Sequence, residues 1–324
     1  MNAFNAILLV IVALPAVIVT YYGFTNCGND NGVCDILLQQ PLLYTNLVFM
    51  INVNILFWLI ALYQNSTWLI DPYWTFIPVL ISLYYQFHPF SESYSYQRSN
   101  NIFILMIIWS IRLTYSYFRR ENWICGERED WRFADMRKTY GKHWWWLSFF
   151  LVYISQQLML IGITLPLYAI HYPKINHEWN YIDEIMRICC IISILIAYAA
   201  DNQLRSFTLQ KPKRQYILNT GLWKWSRHPN YVGEQLWWWF LCIWAYLTSG
   251  HAWIFIGPIF NTVCMREVTK LTEERTAKNR KKQKKLKDWN DYKNKTSEWI
   301  PFCGSADIQV VVAIILSLYI YYYN

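Results

Sequence analysis

A ten-residue segment, SRHPNYVGEQ, combines residue types that could bind an anionic cofactor. Pro229 suits the first position of a helix, where its missing N–H costs nothing. Arg227 and His228 precede it, where the helix dipole and the free backbone donors favour phosphate. Asn230 and Glu234 follow on one helix face, and a carboxylate entering the bilayer indicates a function. The segment predicts an anion site that opens into a polar membrane pocket, with snorkelling of Arg227 and His228 to lipid phosphates as the alternative.

A second group of polar residues lies just before this segment. Asp201 and Arg205 are four residues apart at the end of an apolar stretch, so they can pair across one helical turn. Gln203 and several basic residues follow, and a polyanionic ligand such as a dinucleotide needs donors of this kind. Basic residues also commonly follow membrane spans on the cytosolic side, under the positive-inside rule, without binding any ligand. Their position before SRHPNYVGEQ favours a part in binding.

A third group could supply acid–base chemistry. Tyr117 and Arg120 are three residues apart at the polar end of an apolar span and share a helix face. A buried phenol beside cationic groups can donate a proton to a substrate oxygen, whereas an ordinary interfacial tyrosine is the alternative. Asp71 stands before Pro72 at the start of another span, where it can cap a helix. It could also add a carboxylate to the site.

Composition places these residues in a membrane protein. Of the 324 residues, 55% are hydrophobic and only 15% are charged, whereas soluble domains carry about 25% charged residues. We predict an all-α fold, a multi-pass transmembrane bundle of about nine spans with a cofactor site on its cytosolic side. The expected spans lie near residues 5–22, 42–63, 73–88, 101–118, 146–170, 185–201, 231–249, 252–268 and 307–323.

The distribution of positive charge predicts the orientation. Most of the 29 Lys and Arg residues fall in three loops, 119–145, 203–228 and 265–300. Two predicted spans separate each loop from the next, so all three lie on one side, which the positive-inside rule makes the cytosol or an organelle matrix. The polar groups described above all lie near this side.

Cysteine and histidine spacing limits other functions. Cys27 and Cys34 lie in a loop on the opposite side, where a disulfide and two unpaired thiols are both compatible with the sequence. The spacing predicts no metal site. The basic run 270–295 is interpreted as a solvated helix or a patch against anionic lipid. Its aromatic neighbours do not interleave a basic groove, so no nucleic-acid partner is expected.

The segment that runs from Leu222 to Glu234, LWxxSRHPNYxGE, resembles the C-terminal signature of the steroid 5-alpha-reductase superfamily. The blocks DPYW, FRRENW, EDWRF, HWWW, SQQ and WIP are similar to those of a branch of steroid-reductase-like multi-pass membrane proteins. The resemblance covers roughly residues 70–302. It implies a helical domain at 70–302, N-terminal transmembrane helices at 1–69 and an extra hydrophobic helix at 303–324.

The resemblance implies an NADPH-dependent reductase of an activated carbon–carbon double bond in a lipid or steroid-like substrate. By position, Tyr117 would bind the substrate carbonyl and Asp71 would assist it. One departure is Ala197, which stands where the family usually has asparagine. The expected catalytic residues are Tyr117, Asp71 and Glu234; the expected cofactor-binding residues are Arg120, Asp201, Arg205, Arg227, His228, Asn230, Tyr231 and Glu234.

Two other functions remain open at this point. Relatives with a similar Arg-His-Pro segment are S-adenosylmethionine-dependent methyltransferases. The extra C-terminal helix and Ala197 are also compatible with a catalytically idle subunit that has a structural role in a larger membrane complex. The family resemblance implies the endoplasmic reticulum, and the mitochondrial inner membrane is the alternative. The expected partners are the lipid bilayer and a hydrophobic small molecule.

Overall fold

The computed structural model of the protein describes residues 3–27, 32–91, 96–119, 123–172, 178–210 and 216–300. These residues form helices and connecting turns, and the pairing between them is limited to one isolated bridge, Ser226 with Ser297. The predicted all-α fold is therefore confirmed for this part of the chain. Two compact units divide it, 1–178 and 179–324. Their boundary falls inside the expected 70–302 domain, whose extent remains a prediction.

The first unit consists of helices that are joined by short turns. Two stretches of wider, π-helical turns occur in it, at Phe49–Phe57 and at Phe149–Ile154, and each continues an α-helix at both ends. The helices are α1 (Ala3–Ile11), α2 (Leu14–Asn26), α3 (Gly32–Gln39), α4 (Pro41–Val48), α5 (Trp58–Gln64), α6 (Ile70–Gln86), α7 (Tyr96–Phe118), α8 (Trp131–Tyr140), α9 (Trp144–Ser148) and α10 (Ser155–His171).

The second unit is built on longer helices. They are α11 (Tyr181–Leu209), α12 (Pro229–Ser249), α13 (Ile256–Lys282) and α14 (Leu286–Lys295), with 3₁₀ turns at Gly221–Lys224 and Ala252–Phe255. Asn180 begins α11 with a capping box, in which its side chain accepts from the Ile182 N–H and Asp183 accepts from the Asn180 N–H. The second oxygen of Asp183 accepts from Trp244 Nε1 at 2.7 Å, which joins α11 to α12.

Four stretches among the described residues are long and apolar enough to cross a membrane: Ala3–Asn26, Pro41–Gln64, Tyr96–Phe118 and Trp131–His171. These helices are typical of an integral membrane protein. Helices also overlap the expected spans at 73–88, 185–201, 231–249 and 252–268, but they are shorter or carry more polar side chains. The expected span 307–323 lies outside the described residues. The number of nine spans therefore remains a prediction.

Covalent and polar links hold the first unit together at one end. Cys27 and Cys34 form a disulfide with their Cα atoms 5.4 Å apart, which decides between the two alternatives that the sequence left open. His171 is fully buried, with its ring nitrogens 3.1 Å from Ser82 Oγ and 2.7 Å from Ser99 Oγ. Because buried polar groups need partners, this set links α6, α7 and α10.

Candidate functional site

The SRHPNYVGEQ segment forms the turn that leads into α12. The helix begins at Pro229, as predicted, because the fixed φ of proline suits a first helical position. The backbone N–H of His228 donates to Ser226 Oγ at 3.1 Å, which closes the preceding turn. The ring of His228 stacks on that of Tyr231, with centroids 5.1 Å apart. The turn is therefore an ordered part of the second unit.

Arg227 and His228 share the carboxylate of Glu273 on α13, and Arg227 Nη2 also lies 4.0 Å from Glu298 Oε2. Arg227 Nε donates to Glu273 Oε1 at 2.6 Å, and His228 Nε2 lies 3.2 Å from the same oxygen. Lys293 Nζ lies 2.8 Å from Glu273 Oε2. The side chain of Glu273 is 7% exposed, so this contact carries charge into the interior of the unit. We refer to these four residues as the Glu273 cluster.

The charge state of Glu273 follows from its neighbours. Burial by itself would raise the pKa of the carboxyl group, but hydrogen bonds from His228, Arg227 and Lys293 outweigh burial and hold that pKa well below its usual value. Glu273 is therefore ionised at neutral pH. Since an ionised carboxylate can only accept, His228 Nε2 carries a proton in this contact.

Arg227 also binds the chain that follows α14. Its backbone N–H donates to the Ser297 carbonyl at 2.8 Å, and its Nη1 donates to the Thr296 carbonyl. Tyr292 OH donates to the Trp223 carbonyl at 2.6 Å nearby. Protein acceptors thus surround the guanidinium group that the sequence assigned to a cofactor phosphate. That assignment remains a prediction, and the contacts give Arg227 a structural role beside it.

Two of the predicted cofactor residues, Asp201 on α11 and Asn230 on α12, are in contact. Asn230 Nδ2 donates to Asp201 Oδ1 at 3.3 Å. The other amide atom, Asn230 Oδ1, is buried and has no hydrogen-bond partner among the described residues. Arg205 and Glu234 are half-buried on the same two helices. One acceptor of this pair is therefore left without a partner in the interior of the unit.

A close approach of the two helices makes this pair possible. A Cβ atom at Gly233 would lie 2.6 Å from the backbone nitrogen of Ala197 and 2.8 Å from the Ser193 carbonyl oxygen. Only glycine fits at such a distance from backbone atoms. Ala197 is fully buried at this contact. Ala197 thus packs directly against Gly233 where the two helices cross.

A polar cavity of about 810 Å³ opens beside the turn in the second unit. Three lysines, two carboxylates and three aromatic rings stand in its wall, and Lys224 Nζ lies 5.4 Å from the centre of the Trp225 ring. Lysines can pair with phosphate groups, and exposed rings can stack on a base. Its lining residues include Tyr216, Lys224, Trp225, Lys285, Asp288, Asp291, Tyr292 and Lys295.

The predicted residues of the first unit lie at the ends of α6 and α7. Tyr117 is 5% exposed, and its ring packs against those of Phe118 and Trp123 at 5.4 and 6.0 Å. Asp71 is half-buried in the first turn of α6, which begins one residue earlier, so Asp71 does not serve as the cap. Arg120 lies outside the described residues. The convergence of Tyr117 and Asp71 with the residues of the second unit remains a prediction.

The mixed-charge stretch after α7 forms a structural network. Glu129 Oε1 accepts from the Thr67 N–H and from Thr67 Oγ1, both at 2.7 Å, and pairs with Arg137. Asp130 caps α8 by accepting from the Arg132 N–H at 2.8 Å. These contacts give Glu129 and Asp130 structural roles.

Sequence reasoning missed Glu273, Lys293 and the lysine-lined cavity. Glu273 lies in the basic run that was interpreted as a solvated helix, and its burial depends on how α13 packs. Trp289 and Tyr292 could have indicated that part of that run packs against protein, and both are buried in α14. Two aromatic residues three apart indicate a helix face that packs against protein.

Comparisons with known proteins identify a family and name no activity. The uncharacterized protein C594.04c of Schizosaccharomyces pombe is 27% identical over 203 residues, which cover 56% of this chain and 58% of that protein. The aligned part is thus less than two thirds of that relative. No solved structure matches the chain. The profile described as a protein of unknown function, DUF1295, matches residues 57–296, which is more than half of the sequence. The chain therefore belongs to the DUF1295 family.

Proposed function

We propose that this protein is an NADPH-dependent reductase of the steroid 5-alpha-reductase type, which reduces an activated carbon–carbon double bond in a hydrophobic lipid. The observation that carries the proposal is the polar cavity of about 810 Å³ in the second unit. Its lysines and exposed rings match a ligand that combines phosphates with planar bases. NADPH, when bound, supplies the hydride for the reduction.

The donors and acceptors of the second unit fit such a cofactor. Lys224, Lys285 and Lys295 offer positive charge to phosphate groups, while Trp225 and Tyr216 offer ring faces to a base. Asn230 does not line this cavity, and its proposed contact with the carboxamide of nicotinamide rests on the family resemblance. These residues would bind and orient the cofactor.

The reaction also needs a donor for the substrate oxygen. When an enone accepts a hydride, negative charge develops on its carbonyl oxygen, and a positioned phenol stabilises that charge. Tyr117 is buried near the end of α7 in an aromatic setting that excludes water. In the proposed reaction its hydroxyl group donates a hydrogen bond to that oxygen.

Replacing Lys224 by Ala should weaken NADPH binding about tenfold. A hydrogen bond to a charged group contributes roughly 1.5–3 kcal/mol, and about 1.4 kcal/mol corresponds to a factor of ten. Titration of the purified protein with NADPH, followed by quenching of tryptophan fluorescence, measures the change. Lys278→Ala is the matched control, because Lys278 is exposed on α13 and lies outside the cavity lining.

Equal NADPH affinity in the wild type and Lys224→Ala would show that this cavity does not bind the phosphate groups of NADPH. The same titration with S-adenosylmethionine separates the two enzyme classes. Saturable binding of S-adenosylmethionine without binding of NADPH would favour the methyltransferase and contradict the reductase.

Replacing Tyr117 by Phe should lower kcat about 100-fold, since the loss of one positioned donor to a developing oxyanion costs a factor of 100–1,000. NADPH affinity should stay unchanged, which distinguishes this role from a structural one. The assay follows NADPH oxidation with steroid, polyprenol and fatty-acyl enones. Tyr115→Phe is the control, because Tyr115 is 54% exposed on the same helix. Unchanged turnover in Tyr117→Phe would contradict the assignment.

One observation favours the second candidate, an idle subunit with a structural role. Glu273 and the carbonyls of 296 and 297 already engage Arg227, so the residue most expected to bind phosphate is used within the fold. Under this alternative, the protein purifies with a larger membrane assembly and binds no NADPH. Size-exclusion chromatography after gentle extraction, combined with the titration above, decides between the two.

The proposed location is the endoplasmic reticulum membrane, with the mitochondrial inner membrane as the alternative. The Cys27–Cys34 disulfide supports an oxidising compartment on the side opposite the basic loops. Fluorescence microscopy of the tagged full-length chain with markers of both organelles tests the location.

A further inference from the structure

Another polar cavity, of about 420 Å³, lies within the first unit. It is formed by the end of α5, the turn that follows α5, the last turn of α8 and the start of α9. Cationic, hydroxyl and tryptophan side chains share its wall with aliphatic ones. No step of the proposed reduction uses this cavity.

The cavity lies where two apolar stretches reach their polar ends. The stretch Pro41–Gln64 ends with α5, and the expected span 146–170 begins beside Trp145, which lines the cavity. Trp58 Nε1 on α5 donates to the Trp145 carbonyl at 2.9 Å, so the two helix ends are joined here. Tryptophan is enriched at the level of the lipid head groups. The cavity therefore lies at the expected membrane surface, on the side of the basic loop 119–145.

The charged side chains that line the cavity in the described structure are both cations. They are Arg137 in the last turn of α8 and Lys142, which is exposed. Arg137 pairs with Glu129, whose Oε1 also accepts from the Thr67 N–H and Oγ1. The pair of Arg137 and Glu129 is neutral as a whole, so Lys142 gives the cavity one net positive charge.

A glycine turn brings the two cations to one cavity. Gly141 ends α8 with φ +50° and ψ −120°, and its N–H donates to the Arg137 carbonyl. A Cβ atom at Gly141 would meet nothing within 4 Å, so the backbone conformation, and not packing, requires glycine. The 3₁₀ turn Gly141–His143 then leads into α9. Because the chain reverses here, Lys142 lines the same cavity as Arg137.

The rim of the cavity continues into an apolar surface. Leu62 and Trp145 line the cavity and are 39% and 59% exposed. Leu59 lies one turn before Leu62 on α5 and is 50% exposed, and Phe150 is 54% exposed beyond Trp145. A free phosphate ion would contact the cations and leave this surface uncovered. A phospholipid would use both parts.

We infer that this cavity binds the head group of an anionic phospholipid of the surrounding bilayer. Its phosphate accepts hydrogen bonds from Lys142 and Arg137, while its acyl chains run along Leu62 and Trp145. Basic pockets between transmembrane helices on the cytosolic or matrix side suit such head groups. A zwitterionic choline lipid fits less well, because it brings a second positive charge to a cavity that is already positive.

Native mass spectrometry of the full-length protein in detergent tests this inference. The probes are phosphatidylglycerol and phosphatidylcholine with the same acyl chains. Phosphatidylglycerol should bind about fivefold more tightly, which is the usual effect of one cation on an anionic lipid. Lys142→Ala should remove this preference, and Lys142→Arg should keep it. Lys138→Ala is the matched control, because Lys138 is exposed on α8 and does not line the cavity.

Photo-crosslinking of the wild type locates the lipid without relying on a variant. The probe is phosphatidylglycerol with a diazirine near the start of one acyl chain, added to the protein in nanodiscs of phosphatidylcholine. Mass spectrometry of the peptides should find the adduct in α5 and α9. Unlabelled phosphatidylglycerol should displace the probe, whereas glycerol phosphate at the same concentration should not, since it lacks the acyl chains.

Four results would each overturn the inference. They are equal affinity for the two lipids, the same change in Lys138→Ala as in Lys142→Ala, an adduct outside α5 and α9, and displacement by glycerol phosphate as effective as that by the lipid. The last result would describe a site for a free phosphate compound. None of these measurements involves NADPH, so the outcome is independent of the proposed reductase activity.

Discussion

Glu273→Gln should lower the free energy of unfolding of the second unit by about 3–5 kcal/mol, the usual cost of removing one partner from a buried ion pair. The substitution leaves Arg227 and His228 buried without the carboxylate that they share. It also releases Lys293, whose side chain is 40% exposed and can turn to water. For a unit of this size the loss corresponds to a fall in Tm of roughly 10 °C. Thermal unfolding of the detergent-solubilised protein measures it.

The pH dependence of stability gives the same cluster a second readout. The pKa of Glu273 is lower in the folded chain than its usual value of 4.5. Its contribution to stability is therefore fully present above about pH 4.5 and is lost as the pH falls toward the lower, folded value. Between pH 5 and pH 3 the free energy of unfolding should therefore fall less steeply in Glu273→Gln than in the wild type, because the variant lacks the carboxyl group that titrates.

Glu274→Gln is the matched control, because Glu274 is the next residue on α13 and is exposed. It should change Tm little, since exposed carboxylates contribute at most about 1 kcal/mol. A double replacement, Arg227→Leu with Glu273→Leu, should recover part of the loss, because it removes both charges together. Equal stability of Glu273→Gln and Glu274→Gln would show that the Glu273 cluster does not stabilise the fold.

Gly233→Val should destabilise the second unit by about 3 kcal/mol. Overpacking of a core costs roughly 1–3 kcal/mol, and here the new side chain would meet the backbone of α11 at Ala197 and Ser193. Backbone atoms cannot turn aside as a flexible side chain can, so the two helices must move apart. The separation would also lengthen the contact of Asn230 with Asp201, which is already 3.3 Å. NADPH binding should therefore fall together with Tm.

Ser206→Val controls for the change in helix propensity. Ser206 is exposed on α11, so the same β-branched side chain enters a helix there without meeting another one. Gly233→Ala should give an intermediate loss, because its single methyl group still approaches the Ala197 nitrogen to 2.6 Å. If Gly233→Val matched the wild type in both Tm and NADPH affinity, the close helix contact would have no part in stability or in the site.

Residues next to one another in the chain were the part of the site that the sequence could predict. The start of α12 at Pro229 depends on local backbone geometry, and it was predicted correctly. The number of membrane spans was harder to predict. The reason is that α6 has only 17 residues and α12 mixes apolar residues with Asn, Glu and tryptophan.

Contacts between distant residues were not predictable in this way. Glu273 and Arg227 are 46 positions apart, and no periodicity indicates which carboxylate of a charged helix will be buried. Ala197 was noted only as a departure from a family pattern, because one sequence does not reveal that Gly233 lies against it.

The amino-acid sequence alone determined the helical class, the apolar helices and the start of α12 at Pro229, since these depend on composition and on neighbours within a few residues. Only the tertiary structure decided that Arg227 and His228 share a buried carboxylate and that two helices touch at Gly233. The reason is physical. Burial and the pairing of polar groups depend on which helix faces meet, and that is a property of the packed chain.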